Sequence, residues 1–240
     1  MLKIKNIAGS FFTLLSISAS TVSCNKSKTN SIAAETKNTL ENVSKIEVSG
    51  LVRCELKQNN TAKIDIEAPE NLKKIIKTEI EGNILKIWIS SEQKFDPKKI
   101  KVIVSLPVIE EIEAKDLAEI YSSQEIKSNN FSITADSFSK TDLNIASENI
   151  NLTSNDNSEI KLSGKAVNVN ISSDGSSEVK ASDLFANNIN AAAEGTSIIE
   201  IKPILSLTAA AGNESKIIYH KKAKVNNFKS TDKNNIIYKS

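Results

Sequence analysis

The sequence is poor in the residues that most site chemistry needs. Its 240 residues hold one histidine and two cysteines. That excludes a zinc finger or any His/Cys-rich metal centre. Aromatic residues make up 5% of the chain, too few to stack the successive bases of a nucleic-acid strand. Arg53 is the only arginine, and 31 basic residues stand against 29 acidic ones. Residues 1–23 carry Lys3 and Lys5 and no acid, which leaves 29 of each sign in the remainder. No basic excess drives nucleic-acid binding, so no nucleic-acid partner is expected. There is no G-x-S-x-G elbow, no P-loop and no dinucleotide fingerprint, so no cofactor is expected either. What is present is 39% hydrophobic and 25% charged residues. That is enough to bury a core in one large or two small domains.

The N-terminus reads as an address. Lys3 and Lys5 form a positive n-region, and Ile7 to Val22 is uncharged. The stretch is too short and too rich in Ser and Thr for a transmembrane span. It ends in Thr21-Val22-Ser23-Cys24, where cleavage of a secretory signal (residues 1–23) would leave Cys24 first. This resembles the bacterial lipoprotein signal, in which a small residue precedes the cysteine that receives the lipid. Thr21 stands where that signal usually has leucine. The alternative is an ordinary secretory signal cut nearby, with Cys24 a passenger. With Cys24 acylated, lipid chains rather than a helix would hold the protein on a membrane. Residues 24–43 are mostly Asn, Lys, Ser, Thr and Glu without a sustained period, and are expected to form a flexible tether. No acidic run of the kind that would resemble a bacterial surface-export signal follows Cys24. That favours an outer-membrane anchor facing the periplasm over one facing the surface. Cys54 lies in LVRCELK, where Val52, Cys54 and Leu56 share one strand face. It is expected to be a buried small hydrophobe; a Cys24–Cys54 disulfide is the alternative.

Residues 44–108 alternate with period two, as in Ile46/Val48, Ile64/Ile66, Leu85/Ile87/Ile89 and Val102/Val104. The tight-turn signal Glu81-Gly82-Asn83 precedes Leu85. This predicts an N-terminal β-meander. Trp88 falls on the polar side of its strand, either to pack under a neighbour or to face a ligand.

Residues 109–240 repeat. A word of Glu-Ile-Lys type starts at Glu125, Asp142, Glu159, Glu178, Glu200, Lys216 and Asn235. A second word lies between them: FSIT at 131, INLT at 150, VNVN at 167, INAA at 189 and LSLT at 205. Turn residues follow it at Asn155-Asp156-Asn157, Ser173-Asp174-Gly175, Glu194-Gly195 and Gly212-Asn213. Strand-turn-strand units of about 18 residues predict a stacked β-solenoid. Low glycine and proline, with Ile and Val inward, fit an all-β, right-handed parallel β-helix of six or seven rungs, about 30 Å long at the usual strand spacing. Ile160, Val179, Ile199 or Ile201, and Ile217 are the expected interior ladder. Asn151, Asn168 and Asn190 are the expected outward amide ladder.

The order of these segments resembles a known family. A lipoprotein-like signal is followed by KIEVSGLV, AKIDIEAPENL, EGNILKI and KVIVSLP, then by tandem Ser/Ala-x-Gly turns ending in Ile217-Ile-Tyr. This is similar to the bacterial envelope family called putative auto-transporter adhesin, head GIN domain. It is a domain of unknown function found in exported proteins of Bacteroidota type, and the resemblance covers about residues 44–240. The family's hallmark is a repeated Ser-Gly-Ala-Gly-like turn. This chain keeps single glycines at Gly175, Gly195 and Gly212, and Asn157 replaces the first. The resemblance implies a β-helix in the cell envelope and brings no catalytic residues.

Candidate chemistry is sparse. Asp156, Asp174 and Glu194 occupy turns one repeat apart. Stacked, they would form an acidic column able to hold a divalent cation such as Ca²⁺; otherwise they are ordinary solvated turn acids. Glu159, Glu178 and Glu200 form one outward row and Lys161, Lys180 and Lys202 another, a pattern that blocks lateral aggregation. His220 lacks an acidic orienter and makes a poor general base. The expected function is a lipid-anchored envelope protein presenting a non-catalytic, adhesin-like or ligand-binding β-helix. Its partners would be the membrane and a glycan or envelope protein. The alternative is a carbohydrate-active β-helix enzyme, a polysaccharide lyase or hydrolase, which needs a groove lined by carboxylates.

Overall fold

The structure, a computed structural model, describes residues 40–90, 95–230, 232 and 235–240. The signal, Cys24 and all but the last residues of the tether lie outside the described residues. Fifteen strands of the described residues join one sheet. In chain order they begin with β1 (Lys45–Ser49), β2 (Arg53–Gln58) and β3 (Lys63–Glu67), followed by a one-turn helix α1 (Glu70–Lys73). Then come β4 (Ile76–Glu81), β5 (Ile84–Ile89), β6 (Lys101–Leu106) and β7 (Glu111–Lys115). The long strands are β8 (Glu119–Ala135), β9 (Lys140–Ser154), β10 (Glu159–Ser173), β11 (Glu178–Ala193) and β12 (Ile198–Ala211). Short strands β13 (Lys216–Tyr219), β14 (Val225–Ser230) and β15 (Ile236–Tyr238) follow. Strands β7 to β13 pair in parallel, each with the next in sequence, and the coils make a solenoid of about seven turns. Each long strand holds both sequence words, joined at a corner.

Residues 44–108 form less of a meander than their alternation predicts. Among their described residues only the β4–β5 hairpin and the β3–β6 pair are antiparallel. β1 pairs in parallel with β5 and β7, and β2 with β6 and β8, so this segment is continuous with the solenoid. Inward and outward alternation is the same for both pairing directions, so period two cannot distinguish them. β4, at the end of the sheet, carries Lys77, Glu79 and Glu81, charges that discourage edge pairing.

The inward ladder is as expected and longer. Cys54, Ile120, Thr141, Ile160, Val179, Ile199, Ile217 and Ile236 lie in register, and all but Ile236 are buried. Ile150, Val169, Ile189 and Leu207 form a second ladder on the other limb. Both belong to a single core cluster running from Leu40 to Ala223. Cys54 is a free, fully buried thiol, pushed up to about 12 by burial and then by the charge of Glu55.

Register corrects the word alignment. Residues in line with Glu159 are Glu119, Lys140, Glu178, Ile198 and Lys216. Glu125, Asp142 and Glu200 are therefore not word starts: Glu125 lies by the corner opposite Asn144, and Asp142 and Glu200 stand two residues late. A two-residue slip keeps every side chain on its face, so alternation alone does not detect it. The outward amides are corrected for the same reason. Asn151, Asn170 and Asn190 line up, whereas Asn168 belongs with Asn130, Asn149 and Asn188. In that second ladder Asn149 donates to Asn130 at 2.9 Å, Asn168 to Asn149 at 2.9 Å and Asn188 to Asn168 at 3.0 Å, and Ser206 closes it on Asn188 at 2.8 Å.

A serine row closes the turns. Ser158, Ser177, Ser197 and Ser215 are buried, and each hydroxyl donates to a carbonyl of the preceding coil, on Ala135, Ser154, Ser173 and Ala193, at 2.9–3.0 Å. The bonds satisfy polar groups that burial would otherwise penalise, and they clip adjacent coils together.

Candidate functional site

The outward face of the first limb is built from two columns of charge. One runs Arg53, Glu119, Lys140, Glu159 and Glu178; the other Glu55, Tyr121, Asp142, Lys161, Lys180 and Glu200. Strand alternation turns these side chains out because the residues between them fill the core. Arg53 Nε lies 3.1 Å from Glu119, Lys140 Nζ 3.7 Å from Glu159, and Lys161 Nζ 3.3 Å from Asp142. Lys180 reaches both Glu159 at 2.7 Å and Glu178 at 2.8 Å. The Arg53 guanidinium stands 5.0 Å over the Tyr121 ring, a cation–π arrangement that holds the ring in place. Arg53, Glu119, Tyr121, Lys140, Asp142, Glu159 and Lys161 line a cleft of about 340 Å³.

At the margin of this face sits a buried carboxylate. Glu55 is 5% exposed. Lys101 Nζ lies 2.8 Å from it, the Ser123 hydroxyl donates to it at 2.6 Å, and Lys57 is 3.5 Å away. Burial alone would raise its pKa. The hydrogen bonds from Lys101 and Ser123 and the two lysine charges outweigh that and hold it below the usual carboxylate range. Glu159 is also lowered, first by the Lys180 hydrogen bond, against its desolvation and with added help from Lys140. A depressed folded pKa contributes stability that is present above the unfolded value, about 4.3 for Glu. That contribution is lost as pH falls through the folded pKa. The melting temperature of the wild type should therefore drop on acidification below about pH 4. Glu55→Gln should be less stable at neutral pH and lose less of its remaining stability on acidification, as thermal melts from about pH 2.5 to about pH 7, either side of the usual carboxylate value, would record. Parallel acid limbs for the two proteins would show that Glu55 carries none of this dependence.

The acidic turn column does not assemble as expected. Asp174 and Glu194 hold equivalent positions, their backbone N–H groups bonding to Ser154 and Ser173. The equivalent residue one coil earlier is Asn155, which bonds to Ala135, so Asp156 falls one position later, beside Gly175. The coil from Asn155 to Asp174 is one residue longer than the 18-residue spacing from Asp156 suggests. Among the described residues no group of three or more His, Cys, Asp or Glu could hold a metal ion. The Glu and Lys rows also break at β12, where Glu200 aligns with Lys180. Trp88 is half-buried, level with Ser49 and Lys77 in neighbouring strands. Cys24 lies outside the described residues. Residue reading missed the Arg53–Tyr121–Glu55 grouping. The outward positions of Arg53 and Glu55 were visible, but Tyr121 joins them only through the parallel pairing of β2 and β8.

The fold and this face define a β-solenoid presenting a charged outer wall. Residues 42–223 match the family model described as "Putative auto-transporter adhesin, head GIN domain". The chain belongs to that family. It is similar in structure to a putative adhesin from Bacteroides fragilis NCTC 9343, with 20% identity and a TM-score of 0.73, over 82% of this chain and 90% of that one. A putative adhesin from Parabacteroides merdae ATCC 43184 has 19% identity and a TM-score of 0.59, over 82% and 92%. A putative lipid binding protein from Parabacteroides distasonis ATCC 8503 has 17% identity and a TM-score of 0.60, over 82% and 93%. At these identities the likeness is one of fold. No curated protein matches the sequence. Among the described residues no helix is long and apolar enough to cross a membrane.

Proposed function

We propose that this protein is a cell-envelope adhesin-type module, anchored in the outer membrane by lipid on Cys24 and facing the periplasm, that binds a glycan on the charged wall without catalysing a reaction. The observation that carries the reading is the Arg53–Tyr121 cleft. It offers an aromatic ring, carboxylates and ammonium groups side by side on a rigid sheet, the mixture that sugar hydroxyls and ring faces use. Glu119, Asp142 and Glu159 of its lining each stand against a cation. A lyase or hydrolase instead needs an acid whose pKa is raised toward neutrality. Glu159, in the cleft, is shifted the other way. The family's adhesin description supports the same reading.

The test has two arms on the full chain. Cys24→Ser should move the protein from the membrane to the soluble fraction; an unchanged membrane fraction and unchanged mass would overturn the anchor. A glycan array should show ligands that the wild type holds and Tyr121→Ala loses. Glycan binding that Tyr121→Ala leaves intact, or turnover of a bound glycan, would overturn the assignment of the cleft.

A further inference from the structure

The turn edge of the solenoid carries an apolar rim that the charged wall does not explain. Each coil reverses through a tip of two residues. On the coils nearest β1 the second tip residue is Leu51, Leu117 or Phe138, which are 38%, 51% and 58% exposed. The tips are neighbours: Gly50 N–H bonds to the Lys115 carbonyl, Leu117 N–H to Ser137 and Phe138 N–H to Asp156. The same position in the later coils holds Asn157, Ser176, Thr196 and Glu214. Leu117 and Phe138 have φ of 72° and 63°, in the left-handed region that bulky side chains rarely adopt. Asn157 meets the same demand with a residue suited to it, at 64°. Two large apolar side chains are thus held toward solvent by a backbone conformation that disfavours them, an arrangement that concentrates at functional positions. Leu51 and Leu117 also line a cleft of about 330 Å³, together with Val52, Pro97 and the charged Arg53, Lys98 and Glu119.

The position of the rim says what covers it. The chain joins the core at Leu40 and Val43, both buried, and runs directly into β1. Leu40 stands sixteen positions after Cys24, a separation for which random-coil scaling gives about 20–24 Å root-mean-square. A lipid on Cys24 would therefore hold the first coils, where the rim is, within reach of the bilayer. A convex row of separate tips suits a fluid interface, which needs no matching groove, and apolar side chains with a nearby lysine are the elements of interfacial binding.

We propose that Leu51, Leu117 and Phe138 form a membrane-docking edge that seats in the headgroup region of a phospholipid bilayer, with Lys98 facing lipid phosphate. Asp116, exposed at the same tip as Leu117, keeps the insertion shallow. The proposal rests on the lipid-anchored reading and adds an orientation to it: the rod lies with its turn edge down.

The test uses the full chain with vesicles of phosphatidylethanolamine and phosphatidylglycerol containing brominated acyl chains. Phe138→Trp and Ser176→Trp are compared as difference spectra against the wild type, whose one tryptophan is Trp88. Docking is expected to blue-shift the Phe138→Trp emission and quench most of it, leaving Ser176→Trp unchanged. Leu117→Trp against Thr196→Trp repeats the comparison if either variant fails to fold. Equal emission from both tips of a vesicle-bound chain overturns the docking edge and leaves the anchor intact. If the wild type does not stay with vesicles through washing, the anchor fails. The same quenching, measured on protein simply mixed with the vesicles, still decides the edge: quenching confined to residue 138 supports it and none overturns it. A dimer by light scattering with no quenching gives the rim to a second copy and overturns it as well.

Discussion

Ile160→Asp should unfold the solenoid or leave it barely stable. Ile160 is 0% exposed and lies between Thr141 and Val179 in the interior ladder. Among the described residues a carboxylate there has no buried cation to pair with, and its polar neighbour in the ladder, the buried Thr141 hydroxyl, can offer at most one hydrogen bond and no charge. An uncompensated buried charge costs about 3–5 kcal/mol, against a total stability of about 5–15 kcal/mol for an ordinary domain. The control is Glu159→Gln, one residue away and facing out. It gives up ion pairs to Lys180 and Lys140 at a partly exposed position, and exposed pairs contribute about 1 kcal/mol or less. Urea unfolding followed by circular dichroism should show a lost or strongly lowered midpoint for the first variant and a small shift for the second. Similar midpoints would mean that Ile160 does not face the core.

How much of this was legible depends on which physical signal each feature leaves in the chain. Burial leaves a strong one. Ile160, Val179, Ile199 and Ile217 could be placed in one ladder from period-two alternation because the interior tolerates little else. Strand direction leaves none: Ile46 and Val48 alternate in the same way whether β1 pairs parallel or antiparallel, so the solenoid's first rungs read as a meander. Register leaves a weak signal, since a two-residue slip preserves facing. That is why the sequence words put Asn168 with Asn151 and Asn190, and Glu200 with Glu178. The spacing that fixes register was written in the serines. Ser158, Ser177, Ser197 and Ser215 recur immediately before each first word, at intervals of 19, 20 and 18 residues, and each sits at the same depth in its turn. The Arg53–Tyr121 cleft depends on register twice over, through the pairing of β2 with β8 and of β8 with β9, and no short motif announces it.

Gly164→Ala should be the most damaging small substitution on the corner. Gly164 has φ of 108°, and a Cβ built there would stand 2.2 Å from the Ile145 carbonyl oxygen and 2.8 Å from the Asn144 side-chain oxygen. The first of these atoms is backbone of the neighbouring coil, pinned by the ladder from both sides, so it cannot move without opening strand hydrogen bonds. Backbone strain and the clash act together, and a loss of about 3 kcal/mol or more is expected. Gly212→Ala separates the two causes. Its Cβ would also meet oxygens closely, at 2.3 and 2.6 Å, but these belong to the Glu194 carboxylate, the far end of a flexible, exposed side chain that accepts one exposed hydrogen bond from Asn213 at 3.1 Å, and Gly212 has no positive φ. Swinging that carboxylate aside should cost about 1 kcal/mol or less. Paired thermal melts would then show a large drop at Gly164 and a small one at Gly212. The reverse order would mean that the corner, not the turn, is the yielding part of each coil, and that β9 and β10 can part at Ile145 without loss of the stack.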